Sequence, residues 1–253
     1  MTRALLFIAT LGAISATTAK AEYTPATFLD LAGNCQLIVA GTIVAFDDDT
    51  YQLRIDDTVL GPAKKGETIT VARFRDWPCA LRWGDYQVDQ RVFVFLGFDT
   101  DKRIWQIAGA GGEGESPAAG NAVHANFHLP GQPVEYERPP FKRVLSAVPY
   151  KEFKRAIRDF RKTYKVTPAT LPRYTFDNEP ILLRYDKIER IAEHSKRRFR
   201  PRRPPPEFRT LSTLHRHLQD LVDIEKQRIA DYNKKHPKRR STRHTNTAAI
   251  RQP

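Results

Sequence analysis

Leu37 to Phe46 reads LIVAGTIVAF, an uncharged run rich in β-branched side chains, and it constrains the fold more than any other segment. Such a run fits a strand buried on both faces or one that closes a barrel, with Gly41 where the strand would bend. Asp47-Asp48-Asp49-Thr50 follows as a turn. Tyr51, Leu53 and Ile55 then alternate with Gln52, Arg54 and Asp56, the period-two pattern of a strand with one face in a core. Leu60-Gly61-Pro62 ends it. Thr68 to Arg75 and Arg91 to Phe98 repeat the pattern, and Ile104 to Ala108 gives a fifth strand after a turn at Asp99 to Lys102. Short strands with turn signals between them predict a mainly β fold, a small barrel or a sandwich.

Gly109 to Gly120 reads as a flexible loop. Beyond it Val123, Ala125, Phe127 and Leu129 alternate with polar residues as a sixth strand, and Val134 to Tyr136 forms a short seventh. From Tyr150 the period changes. Phe153, Ile157 and Phe160 recur at helical spacing with Lys and Arg between them, which predicts an amphipathic helix over Pro149 to Tyr164 that closes the domain.

Charge divides the chain. Residues 22–165 carry 19 Lys and Arg against 19 Asp and Glu, whereas residues 166–253 carry 21 against 10, a net +11. The basic part reads as a helical and partly disordered extension. Pro168 to Pro180 is a proline-punctuated linker, and Ile181 to Lys196 has the spacing of a helix. Lys196, Arg197, Arg198, Arg200, Arg202 and Arg203 then place six cations within eight residues, and Pro204-Pro205-Pro206 stops any helix there. Leu211, Leu214, Leu218, Leu221 and Ile224 predict an amphipathic helix over Thr210 to Asn233 that packs on the barrel, pairs with itself or lies on a membrane surface. A second basic cluster, with Lys238, Arg239 and Arg240, leads into a polar end.

Residues 1–21 have the form of a secretory signal peptide: a basic start at Arg3, the apolar stretch Ala4 to Ala16, and Ala19-Lys20-Ala21 as an A-x-A cleavage site. The predicted mature chain begins at Glu22 and is periplasmic or extracellular. No stable transmembrane segment is expected after cleavage, since the apolar stretch is shorter than the roughly 20 residues a spanning helix takes. In an oxidising compartment Cys35 and Cys79 are expected to form a disulfide, worth about 4 kcal/mol in the chain-entropy account. Two separate buried thiols are the alternative.

The chemical motifs are weak. Gly109-Ala110-Gly111-Gly112-Glu113-Gly114 satisfies G-x-G-x-x-G, but the acidic, proline-containing segment after it does not open the helix that holds a pyrophosphate. Asp47 to Asp49 lacks the ligand spacing of a calcium loop. His124 and His128, four apart in a strand, share a face but stand about 13 Å from each other, too far for one metal. His215 and His217 read as solvated residues of a charged helix. No enzyme, cofactor or metal site is predicted.

The succession of Ile38 to Val44, Tyr51-Gln52-Leu53, Val59-Leu60-Gly61, Gly66 to Val71, Cys79 and Arg91 to Leu96 resembles bacterial secreted relatives of the tissue inhibitors of metalloproteinases. The resemblance covers about residues 35–108. It departs at Asp89, where relatives place glycine, and it implies the netrin-like module, a small OB-like antiparallel barrel. Eukaryotic members chelate the protease zinc through an N-terminal cysteine. Cys35 lies thirteen residues inside the expected mature start, so that mechanism is not implied here. The expected function is a non-enzymatic secreted binding protein whose basic arm engages an anionic envelope polymer or a protein. The alternative is a protease inhibitor or modulator acting through barrel loops near Trp77, Trp83 and Tyr86. An OB-type nucleic-acid binder is disfavoured by export and by the aromatic platforms that base stacking needs.

Overall fold

The computed structural model describes residues 25–77, 80–138, 141–168, 185–191, 208 and 211–235. The fold is built on a closed five-stranded barrel of β1 (Leu37–Phe46), β2 (Thr50–Leu60), β3 (Thr68–Ala72), β4 (Arg91–Asp99) and β5 (Ile104–Ile107). β1 lies antiparallel between β2 and β4, β3 pairs with β2, and β5 pairs with β4. A parallel contact at Val71 and Trp105 closes the ring between β3 and β5. This order, 1-2-3-5-4-1, is that of an OB-like barrel.

Two cores explain why the strands are apolar on both faces. Leu37, Val39 and Ile43 of β1 join Val92, Val94 and Leu96 of β4 inside the barrel. The alternate residues Ile38, Ala40, Phe93 and Phe95 face outward into a second core. Gly41 sits at a register shift, and a Cβ there would meet the Arg54 carbonyl at 2.6 Å and the Leu53 side chain at 2.8 Å. The bend in β1 therefore requires glycine.

The second core is covered by a sheet that branches from β4. β5 runs along Leu96 to Asp99 of that strand, while β6 (Glu115–Ala119) pairs with Val92 to Val94, so the two share its length. From β6 the sheet continues through β7 (Ala122–Ala125) and β9 (Phe141–Pro149) to β8 (Gln132–Arg138). α1 (Phe28–Asn34), opened by a Thr27/Asp30 capping box, and α2 (Tyr150–Thr163) complete the cover. α2 buries Phe153, Ala156, Ile157 and Phe160, and three of its cations reach neighbouring elements. Lys154 pairs with Asp57, Arg158 donates to the Thr58 carbonyl at 2.9 Å, and Arg161 donates to the carbonyls of Gly33 and Cys35 where α1 ends.

The described parts of the chain beyond residue 165 belong to the same core. β10 (Tyr164–Pro168) pairs with β11 (Tyr185–Arg190), and α3 (Thr213–Lys235) packs against α1, α2 and β11. Tyr185, Ile188, Phe208, Leu214, Leu218 and Val222 all join the cluster that contains Phe28, Phe93 and Phe153. α3 thus lies where the Leu211 to Ile224 periodicity places a helix. The helix expected over 181–196 is corrected, since its described part is a strand. A register shift between Thr167 and Pro168 sets Tyr185 opposite Pro168 and Ile188 opposite Val166 and turns both into the core, imitating helical spacing. The Gly-rich segment contains β6, and the sixth strand stops at Ala125 rather than Leu129.

Cys35, expected to bond to Cys79, is a free thiol in the second core, 4% exposed. Its burial pushes the thiol up to about 12, with the Arg161 charge opposing the shift. Cys79 and the signal segment lie outside the described residues. No helix among the described residues is long and apolar enough to cross a membrane.

If α3 is part of the core, Leu218→Ala will cost about 2–5 kcal/mol in one cooperative urea transition. Ile224→Ala, at a site 48% exposed, will stay within about 0.5 kcal/mol. A separate early transition for Leu218→Ala would contradict the shared core.

Candidate functional site

The long connection from β3 to β4 folds over one end of the barrel around Arg82. Its guanidinium is 3% exposed and Glu115, on β6, is 1% exposed. Arg82 Nε donates to Glu115 Oε1 at 2.9 Å, Nη2 donates to Gln90 Oε1 at 2.8 Å, and Nη1 donates to the Gly84 carbonyl at 2.5 Å. The Trp83 and Tyr86 rings lie 4.1 and 3.7 Å from the guanidinium carbon, and Tyr86 Oη donates to Glu115 Oε2 at 3.2 Å. Burial raises the Tyr86 and Tyr51 hydroxyls well above the ordinary phenol range, with the Glu115 charge adding to the shift. Such a pair holds geometry more than it adds net stability, because desolvation offsets most of the attraction.

The loop between β5 and β6 is specified residue by residue. Gly109 and Gly112 take φ of +86° and +76°, and a Cβ at Gly114 would meet the Ala108 carbonyl at 2.3 Å. Glu113 folds back to accept from the Gly111 N–H at 3.0 Å, and burial raises its carboxyl. Trp77 Nε1 donates to the Ala110 carbonyl at 2.9 Å, tying this loop to a bridge in which Trp77 and Ala80 exchange two backbone hydrogen bonds of 2.9 Å. The glycine motif is therefore an ordered wall, and it leads into a strand rather than a helix.

Between this wall and α3 lies a cleft of about 370 Å³. Pro25, Phe127 and Leu221 give it apolar sides, and Glu113, Arg143, His128 and His217 give it charge or polarity. Asn126 orients the guanidinium of Arg143, accepting from Nη1 at 2.7 Å while its own Nδ2 donates to the Gly112 carbonyl at 3.2 Å. Partial burial lowers the Arg143 pKa from its ordinary value, and nearby Glu113 opposes the shift. The His128 and His217 rings stand 6.1 Å apart, and burial, then the neighbouring His128, lowers the His217 pKa.

The aromatics expected at the barrel loops are placed differently. Trp83 and Tyr86 are 5% and 7% exposed and belong to the barrel core, so they cap the barrel from within. Trp77 is half-buried. Lys196, Arg197, Arg198, Arg200, Arg202, Arg203, Lys238, Arg239 and Arg240 lie outside the described residues. His124 contacts Tyr136 Oη at 2.6 Å, whereas His128 turns toward α3, so the two do not act as one exposed pair.

His215, expected in solvent, is fully buried. Its Nδ1 lies 2.7 Å from Ser212 Oγ and its Nε2 lies 3.2 Å from Asp159 Oδ2. The order serine, histidine, carboxylate is that of a hydrolase triad, but Ser212 caps α3 and the imidazole is sealed under Phe208. A nucleophile needs access to a substrate, and here the three residues dock one helix on another.

Arg82, Glu115, Glu113 and Arg143 escaped the sequence reading because each is a single charge in a loop or strand. The one available signal was the pair of carboxylates among the small residues of Gly111 to Ala119. If the Arg82 to Glu115 contact holds geometry, Arg82→Met will cost about 3–5 kcal/mol in urea denaturation. Adding Glu115→Leu will recover most of that loss, whereas additive costs would contradict a coupled pair. No family model, curated protein or solved structure matches the chain.

Proposed function

We propose that the chain is an exported, non-enzymatic binding protein whose basic segment engages an anionic partner, an envelope polymer or an acidic protein. The carrying observation is the separation of charge: residues 22–165 are neutral overall and residues 166–253 carry a net +11. The Lys196 to Arg203 cluster falls between β11 and α3, and both of those elements pack on the core. A cationic segment fixed to the domain at both ends can present its charge without losing the fold. Its attraction to a polyanion weakens with salt.

The likeness to secreted metalloproteinase-inhibitor relatives agrees with this reading at the level of an OB-like barrel. The modulator alternative is weakened, because two of the three aromatics it invoked are buried. A nucleic-acid reading gains little from the outer face of β2 and β3. The residues there are Gln52, Thr70, Arg54 and Thr68, with a hydrogen bond of 3.0 Å between Gln52 Nε2 and Thr70 Oγ1. None offers a ring for base stacking.

Deleting the whole extension would open the core, so the test neutralises it. Full-length protein with Lys196, Arg197, Arg198, Arg200, Arg202 and Arg203 all changed to Gln is compared with the parent on a heparin column. The expected result is elution at clearly lower salt with an unchanged melting temperature. Elution at the same salt would remove the role given to this segment.

A further inference from the structure

The cleft beside the Gly-rich loop is built for a ligand of a different size from a polymer. Arg143 is half-buried, and Asn126 Oδ1 fixes one edge of its guanidinium at 2.7 Å. Among the described residues Arg143 makes no ion pair with a carboxylate, although the charges of Glu113, Asp76 and Arg138 reach it through space. Glu113, the nearest candidate, is turned back onto the Gly111 N–H. A planar fork with one edge fixed and the other unpaired, at the side of an apolar cleft, matches the two oxygens of a carboxylate. Clefts with apolar walls and a few convergent polar groups are the usual form of small-molecule sites.

We propose that this cleft binds a small organic monocarboxylate, its carboxylate on Arg143 and its apolar body against Phe127, Leu221 and Pro25. The His128 and His217 rings line the same cleft. The space of about 370 Å³ suits a body of several carbons or one aromatic ring. Among the described residues Arg143 is the one Lys or Arg that lines the cleft, which favours a monoanion over a phosphate ester that recruits more donors. This inference rests on reading the chain as a binding protein for anions, but it does not depend on the basic segment. Loss of heparin retention leaves the cleft intact, and loss of carboxylate binding leaves the segment intact.

The test is calorimetric titration of the full chain with 4-phenylbutyrate, 4-phenylbutan-1-ol and 4-phenylbutylamine, which share one apolar body and differ only in the head. The acid is expected to bind saturably and at least about tenfold more tightly than the alcohol or the amine, the value of one charge-assisted contact. Arg143→Gln abolishes that preference, and Arg143→Lys keeps part of it. Asn126→Asp sets a carboxylate against the guanidinium and weakens the acid by about tenfold while the heparin elution stays unchanged. Melting curves show whether each variant is folded, and the three-head comparison on the parent protein stands even if a variant is not. The proposal is overturned if the acid does not bind, if the alcohol or amine binds as well, or if folded Arg143→Gln retains the preference.

Discussion

A guanidinium and a carboxylate buried together, Arg82 and Glu115, link two parts of this molecule that are separate in the chain. Arg82 belongs to the connection over the barrel end, and Glu115 begins the strand that leads from the barrel into the covering sheet. Their contact is enclosed by Trp83, Tyr86 and Gln90, so neither charge can turn to solvent. The carboxylate belongs to the residue where the Gly-rich loop ends, and the Arg82 backbone N–H donates to Asp76 Oδ1 at 2.6 Å beside the Trp77 to Ala80 bridge. That loop and that bridge are two walls of the cleft. The third wall is α3, held by Leu214, Leu218 and Val222 in the outer core.

The two-sided barrel makes this arrangement necessary. Ile38, Ala40, Phe93 and Phe95 would face water if the barrel stood alone, and burying a side chain the size of Ile or Phe is worth about 1.5–3 kcal/mol. α1, α2, the branching sheet and the C-terminal elements all exist to cover that face. The segment with the excess positive charge is therefore structural in part. β11 and α3 close the domain, while the cation clusters sit between or beyond them.

What was legible in the sequence follows from periodicity. The LIVAGTIVAF run, the alternation in β2 and the helical spacing of Phe153, Ile157 and Phe160 each record burial of one residue set against one surface. The failures have physical causes as well. A bulge in β11 gave a strand the spacing of a helix. Seven residues of α1 are too few for a clear period, and β6 is hidden among glycines and a proline. Compartment speaks to a disulfide between Cys35 and Cys79 but not to packing, and Cys35 is packed as an apolar side chain at the end of α1. The site was the least visible part. Arg82, Glu115 and Arg143 draw their meaning from neighbours that only the fold supplies.

The central claim is that barrel, covering sheet and C-terminal helix form one folded unit, since the cleft exists only if α3 is a permanent wall. Native-state hydrogen exchange on the full chain tests this most directly. The account predicts that amides of Leu218 and Val222 in α3 exchange with the same opening free energy as those of Val39 in β1 and Val94 in β4. Exchange of the α3 amides through a separate, much lower-energy opening would contradict it.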